Sequence, residues 1–159
     1  MRQDGGYETD FYEWTQDQAA KLRAEGARRV NADIDWENVA EEIESLGRSD
    51  LRGAEGHLIR VIEHLLKLEY SPRVEPRSDW EVSVLTHRDD ARRILDDSPS
   101  LRRKVRTSLA KFYRQARRVA ARGLNRDEVP ESSLPDEPPY SIEQVLDPDW
   151  FPANRHGLE

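Results

Sequence analysis

The chain has 159 residues, of which 36% are hydrophobic and 36% are charged, and its formal net charge is −7. This length suits one domain with one core, and the four Trp and five Tyr residues favour a folded chain over a disordered one. The absence of Cys excludes disulfides and thiolate metal sites, so we expect a cytoplasmic protein. No segment has the apolar length of a signal peptide or a membrane span, and we expect no membrane partner.

Apolar residues recur at helical spacing through most of the chain and predict five main helices. The first predicted helix begins at a Thr9 cap and ends near Gly26, where the apolar pattern breaks. The second is short and acidic and begins at Asp33 or Asp35. It ends at Gly47, which stands where a left-handed C-terminal residue is expected.

The third predicted helix runs from Ser49 to about Glu69. Its apolar residues cover almost half of the helix surface, which indicates a central position in the fold. The fourth begins at Ser78, which forms a capping-box pattern with Glu81, and ends near Asp97.

The fifth predicted helix is the longest, a single helix over residues 99–122 with Ser98 as its cap and Gly123 as its stop. Its predicted inward residues are Leu101, Val105, Leu109, Phe112, Ala116 and Val119. Prolines beyond it predict an extended tail with one short helix, capped by Ser141 with Gln144 in the box position. Four side chains are expected to pin this tail to the bundle: Tyr140, Leu146, Trp150 and Phe151.

These elements predict an all-α fold, because no segment shows the alternation of a strand. We expect a single-domain helical bundle of about five main helices plus a proline-rich C-terminal tail with one short helix. Residues 1–152 form the predicted domain. Residues 153–159 are predicted as a flexible C-terminus that is partly vector-derived, at Leu158 and Glu159.

The fifth predicted helix is amphipathic and strongly cationic, with nine positive charges and no acidic residue. Because the chain total is −7, the residues outside this helix carry a net −16. The nine cations are Arg102, Arg103, Lys104, Arg106, Lys111, Arg114, Arg117, Arg118 and Arg122.

Arginine forks suit carboxylates, so this helix is interpreted first as a docking face for an acidic protein partner or for a second copy of the chain. The candidate binding residues are Arg103, Arg106, Arg114 and Arg117. A solvated face balanced by acidic neighbours is the simplest alternative. Nucleic-acid binding through residues 99–122 is a further alternative, and the acidic net charge of the chain argues against it.

A second candidate site combines carboxylates and histidines. Glu41 and Glu44 lie on one side of the second predicted helix, and His57 and His64 share one border of the third. If the chain turns back between these helices, the four side chains form a ligand set for a divalent metal, and no other cofactor is predicted. His87 is a further candidate ligand. The simplest alternative is that each histidine is a boundary residue bonded to a carbonyl or carboxylate.

Six blocks stand out along the chain: YETDFYEW at 7–14, EEIESLGRS at 41–49, HLLK at 64–67, SPSL at 98–101, PPYSIEQ at 138–144 and DWFP at 149–152. In this order they resemble a bacterial family catalogued as domain of unknown function 29. The resemblance implies an all-helical single domain and brings no activity with it.

Function is therefore predicted from chemistry alone. The sequence contains no glycine-rich phosphate loop, nucleophile elbow or HExxH motif, which argues against an enzyme without excluding one, and no catalytic residue is assigned. The first hypothesis is a non-enzymatic interaction or regulatory module. A metal-binding bundle and a nucleic-acid-binding helix are the alternatives.

Overall fold

The computed structural model describes residues 6–29, 31 and 33–159. Within them lie six α-helices: α1 Phe11–Arg28, α2 Trp36–Tyr70, α3 Arg77–Asp96, α4 Pro99–Thr107, α5 Leu109–Leu124 and α6 Ile142–Leu146. Two short 3-10 helices, Asn125–Asp127 and Glu131–Ser133, follow α5. These residues form no strand, so the predicted all-α fold is confirmed. The first five residues of the predicted domain lie outside this described part.

Helix α2 is unbroken over 35 residues, which gives a rod about 52 Å long. The predicted break at Gly47 is therefore wrong, and α2 rather than the fifth predicted helix is the longest. Gly47 is buried where α1 crosses α2, and a Cβ atom added to it would lie 2.3 Å from Thr15 Oγ1. This glycine allows two helices to touch and does not end a helix.

The other long helices pack against α2. Helix α1 lies antiparallel along its N-terminal half, with Gly26 against Trp36 and Gly47 against Thr15. Helices α3 and α5 pack on its C-terminal half, which confirms the central position predicted for residues 49–69. The α2 side chains fully buried there are Leu58, Val61, Ile62, Leu65, Leu66 and Leu68. None of the described helices is both long and apolar enough to cross a membrane.

The fifth predicted helix is two helices, α4 and α5, which meet at Ser108. Thr107 Oγ1 donates to the Lys104 carbonyl oxygen at 2.9 Å, and such side-chain bonds compete with the helical hydrogen-bond ladder. The break shifts the face that α5 turns to the core. Ala120 is buried, whereas Val119, which was predicted to point inward, is 41% exposed.

The N-terminal ends of α1 and α4 cap each other. Asp10 caps α1, and its carboxylate also accepts from the backbone N–H and the hydroxyl of Ser100, at 2.7 and 2.6 Å. In return, Ser98 Oγ accepts from the Tyr12 N–H at 3.0 Å. The predicted Thr9 cap is therefore wrong by one residue. Ser98 is the N-cap residue of α4 as predicted, but its hydroxyl caps α1 and forms no capping bond to α4.

Two further capping boxes were predicted, and one of them forms. Ser141 and Gln144 make both bonds of the box at the start of α6, which confirms that prediction. Helix α3 begins at Arg77, with no side-chain cap, so the predicted box of Ser78 and Glu81 is wrong.

A buried arginine fixes the segment after α5 to the bundle. Arg88 on α3 is 0% exposed and donates to the carbonyl oxygens of Val145 and Trp150, at 2.8 Å each, and of Gln144, at 3.1 Å. Its guanidinium also lies 5.0 Å from the ring centre of Phe151. The predicted pinning residues pack on the core as expected, two buried and two partly buried: Tyr140, Leu146, Trp150 and Phe151.

The segment 153–159, predicted as a flexible end, contacts the C-terminal end of α2. Asn154 Nδ2 donates to the Leu68 carbonyl oxygen at 2.7 Å, and the Arg155 N–H donates to the Glu69 carbonyl oxygen at 2.9 Å. These bonds satisfy carbonyl groups that the end of a helix leaves without partners.

We expect Arg88→Met to lower the free energy of unfolding by about 2–4 kcal/mol, because three carbonyl oxygens lose their buried donor. Urea unfolding followed by circular dichroism measures the change. Arg103→Met is the control, since Arg103 is exposed and forms no ion pair in the described residues. Equal stability of the two variants would contradict this role of Arg88.

Candidate metal centre

The candidate site lies where α2 and α3 run side by side in opposite directions. Gly53 on α2 lies against Ile94 on α3, and a Cβ atom added to Gly53 would lie 3.3 Å from Ile94 Cδ1. One turn further along α2 is His57, and on α3 Asp90 lies one turn back from Ile94 and His87 two turns back. Because His87 and Asp90 are three residues apart, they lie on the same face of α3, towards His57.

Three side chains of metal-ligand type converge at this point. The Nδ1 atoms of His57 and His87 are 2.9 Å apart, and His57 Nδ1 is 3.9 Å from Asp90 Oδ2. One ligand atom from each residue lies within 4.8 Å of the other two, the one such group in the described part of the chain. All three residues are partly exposed, so an ion has access to the site from solvent.

These distances fit a bound cation. Two imidazole nitrogens that share an ion at about 2.0–2.1 Å, with angles between 90° and 110°, lie about 2.9–3.4 Å apart. The observed separation of 2.9 Å lies at the short end of this range, and the Asp90 carboxylate, with Oδ2 3.9 Å from His57 Nδ1, lies outside it. The two imidazoles are therefore placed as a shared ion requires, and the Asp90 carboxylate must approach them to complete a ligand set of three.

The protonation state of His87 also favours metal binding. Burial, and secondly the neighbouring His57, lower the pKa of His87, while Asp90 opposes this change. At neutral pH the His87 ring is therefore neutral, and only a neutral imidazole has a free nitrogen lone pair for a metal. Without a metal, one Nδ1 donates a hydrogen to the other across the 2.9 Å contact.

His64, one of the predicted ligands, lies two turns from His57 on α2 and outside the convergent group. Its side chain is 14% exposed, and its Nδ1 has no hydrogen-bond partner in the described residues. Burial is the main cause that lowers the pKa of His64 to about 4, although the adjacent Glu63 opposes it. Glu63 itself is held by Lys67 at 2.6 Å and by Arg60 at 3.0 Å.

The predicted carboxylate ligands are not near the histidines. Glu41 and Glu44 were expected to meet His57 through a turn that does not exist, and Glu44 lies 13 residues before His57 on one straight helix, about 20 Å away. Both carboxylates bind Arg23 of α1, at 3.3 and 2.8 Å, and Arg48 of α2. They join α1 to α2 through these ion pairs.

The basic residues predicted for binding divide into two pairs. Arg106 is paired with Glu143 at 2.6 Å, and Arg117 is paired with Glu131 at 2.7 Å, so both are engaged within the chain. The other two are exposed and form no ion pair in the part of the chain that the structure describes: Arg103 and Arg114.

Sequence reasoning named His57 and His87 as candidates but missed Asp90. The sequence does contain a pattern that points to Asp90. Residues 57 and 90, like residues 53 and 94, are equidistant from the middle of the loop that joins α2 to α3. Antiparallel helices joined by a short loop bring such pairs level with each other.

We expect His64 to make the protein less stable in mild acid. Its pKa is about 4 in the folded chain and near 6.5 in the unfolded chain, so its stabilising contribution is complete above pH 6.5 and is lost as the pH falls towards 4. Between pH 7 and pH 5 the wild type should lose about 2 kcal/mol more unfolding free energy than His64→Gln.

Urea unfolding in the presence of a chelator measures this difference. His156→Gln, which removes an exposed histidine, should keep the wild-type pH dependence. A wild type and His64→Gln that lose equal stability on acidification would show that His64 is not protonated on unfolding in this range.

Both the sequence and the fold resemble those of known proteins. The family model described as domain of unknown function DUF29 matches residues 7–151. The crystal structure of an alpha-helical protein of unknown function from Rhodospirillum rubrum is similar, with a TM-score of 0.76 and 28% sequence identity, and the match covers 91% of each chain. No curated protein matches the sequence. Because the family match spans nearly the whole chain and confirms the resemblance of the six blocks, the chain belongs to the DUF29 family.

Proposed function

We propose that this protein binds a divalent transition-metal ion through His57, His87 and Asp90. The observation that carries the proposal is the pair of imidazole Nδ1 atoms 2.9 Å apart, with a carboxylate within reach. This site replaces the predicted set of Glu41, Glu44, His57 and His64 and retains one member of it. The cysteine-free composition agrees with the expected cytoplasmic location.

The donor atoms indicate the class of metal. Imidazole suits Zn²⁺, Ni²⁺, Cu²⁺ and Fe²⁺, whereas Ca²⁺ and Mg²⁺ prefer shells made of oxygen. Two nitrogens and one carboxylate oxygen therefore favour a transition metal. Three protein ligands leave at least one position for water or an external ligand, as in metal sites that act on a bound molecule.

Binding at this site links two helices that are otherwise held by packing. The ligands come from α2 and α3, so a bound ion closes the long loop of chain between His57 and His87. Both imidazoles would then carry their hydrogen on Nε2, because Nδ1 is the atom that faces the ion. An ion at about 100 times its dissociation constant adds about 2.7 kcal/mol to the free energy of unfolding.

Isothermal titration of Zn²⁺ and Ni²⁺ into chelator-treated protein without a polyhistidine tag tests the proposal. We expect one ion per chain and a higher melting temperature in its presence. The variants His57→Gln, His87→Gln and Asp90→Asn should each weaken binding about tenfold or more. Titration with Co²⁺, which has visible absorption bands, reports whether nitrogen ligands are bound.

Two matched controls separate this site from nonspecific histidine binding. His64→Gln and His156→Gln also remove one histidine each, and both residues lie outside the convergent group. These variants should bind Zn²⁺ as the wild type does. Substoichiometric binding in the wild type, or equal losses in all the histidine variants, would contradict the proposal.

A further inference from the structure

Four cations form a straight stripe on the exposed side of α5: Lys111, Arg114, Arg118 and Arg122. They stand at positions i, i+3, i+7 and i+11 of the helix, and all four are exposed. At 100° and 1.5 Å per residue they occupy an arc of about 80° and a length of about 16 Å. We call this set the α5 stripe.

Within the described residues, no carboxylate forms an ion pair with a side chain of the α5 stripe. Three other cations of residues 99–122 are engaged, since Arg102 pairs with Asp96 at 2.9 Å, Arg106 pairs with Glu143, and Arg117 pairs with Glu131. The side chains of the stripe form no hydrogen bond and no ion pair in the same part of the chain. Like charges three or four residues apart on a helix repel each other, so this arrangement costs stability unless an external anion offsets it.

The surface beside the stripe has the shape and chemistry of a docking site. Shallow grooves run along it, one lined by Arg118, Ala121, Arg122, Asn125 and Glu131 and another by Arg114, Arg117, Arg118, Glu131 and Asp136. Exposed Val119 lies at its edge and offers an apolar contact. The two carboxylates that line these grooves, Glu131 and Asp136, pair with Arg117 at 2.7 and 3.4 Å and leave the guanidinium groups of the stripe free for another partner.

We propose that the α5 stripe docks an acidic helix of a partner protein. Carboxylates spaced at i, i+4, i+7 and i+11 on such a helix match the stripe in length. Each of the three guanidinium groups can bind one carboxylate through two hydrogen bonds, and Lys111 can pair with the fourth. A nucleic acid fits less well, because it extends beyond the stripe and the chain outside residues 99–122 carries a net charge of −16, which repels a polyanion. The apolar Val119 likewise favours a protein helix over a phosphate backbone.

The probe is an alanine-based helical peptide with glutamates at i, i+4, i+7 and i+11, labelled for fluorescence anisotropy at low salt. We expect Arg114→Gln/Arg118→Gln/Arg122→Gln to bind it about tenfold or more weakly than the wild type. Arg102→Gln/Arg103→Gln/Arg106→Gln is the matched control, because it removes the same charge from α4. Circular dichroism establishes that both triple variants are folded.

The outcomes separate the possible occupants. Loss of affinity in the α5 variant alone supports the proposal. Equal losses in the two triple variants would show an effect of net charge only and would overturn it, as would a wild type that does not bind the peptide. Tighter binding of single-stranded DNA of equal charge would assign the stripe to nucleic acid and overturn the proposal. A dimer in sedimentation velocity that dissociates when the peptide is added would assign the stripe to a second copy of the chain and also overturn it.

Discussion

The contact between Gly47 and Thr15 is the constraint on which the arrangement of the other helices depends. Any side chain at residue 47 would overlap Thr15, so the glycine lets α1 lie directly on α2 while α2 continues past it. With α2 continuous, α1 is confined to its N-terminal half, and α3 and α5 share the C-terminal half. The core and the candidate metal centre both lie in that second half.

Continuity of α2 also decides which charged groups meet. The acidic residues of its N-terminal half lie beside Arg23, which joins Glu37, Glu41 and Glu44 in one ion-pair network. The histidines lie too far along the rod to share those carboxylates. Instead, α3 returns along α2 and brings His87 and Asp90 to His57. The composition of the candidate metal centre thus follows from helix pairing and not from closeness in sequence.

Local patterns predicted much of the fold. Helical periodicity gave the all-α class, the wide apolar face located the centre, and the spacing of Ser141 and Gln144 identified the cap of α6. These features depend on residues a few positions apart, which sequence reasoning can read. Gly47 was misread because a glycine at a helix end and a glycine at a helix crossing look the same in a sequence.

Features set by distant residues were not predictable in the same way. The exchange of caps between Asp10 and Ser98, and the three carbonyl oxygens bound by buried Arg88, join segments far apart in the chain. The candidate metal centre was predictable only in part. His57 and His87 were visible as histidines beside apolar faces, but Asp90 becomes visible only when α2 and α3 are paired about their connecting loop.

The distance between two labels on α2 tests this account most directly, because α2 was the element misread from the sequence. The chain has no Cys, so the exposed substitutions Glu42→Cys and Arg60→Cys provide unique sites for spin labels. Double electron–electron resonance then measures the distance between the two labels. An unbroken α2 predicts a separation of about 27 Å between these backbone positions. A hairpin at residues 47–49 would bring them to about 13 Å, and such a short distance would contradict both the helix arrangement and the metal site built on it.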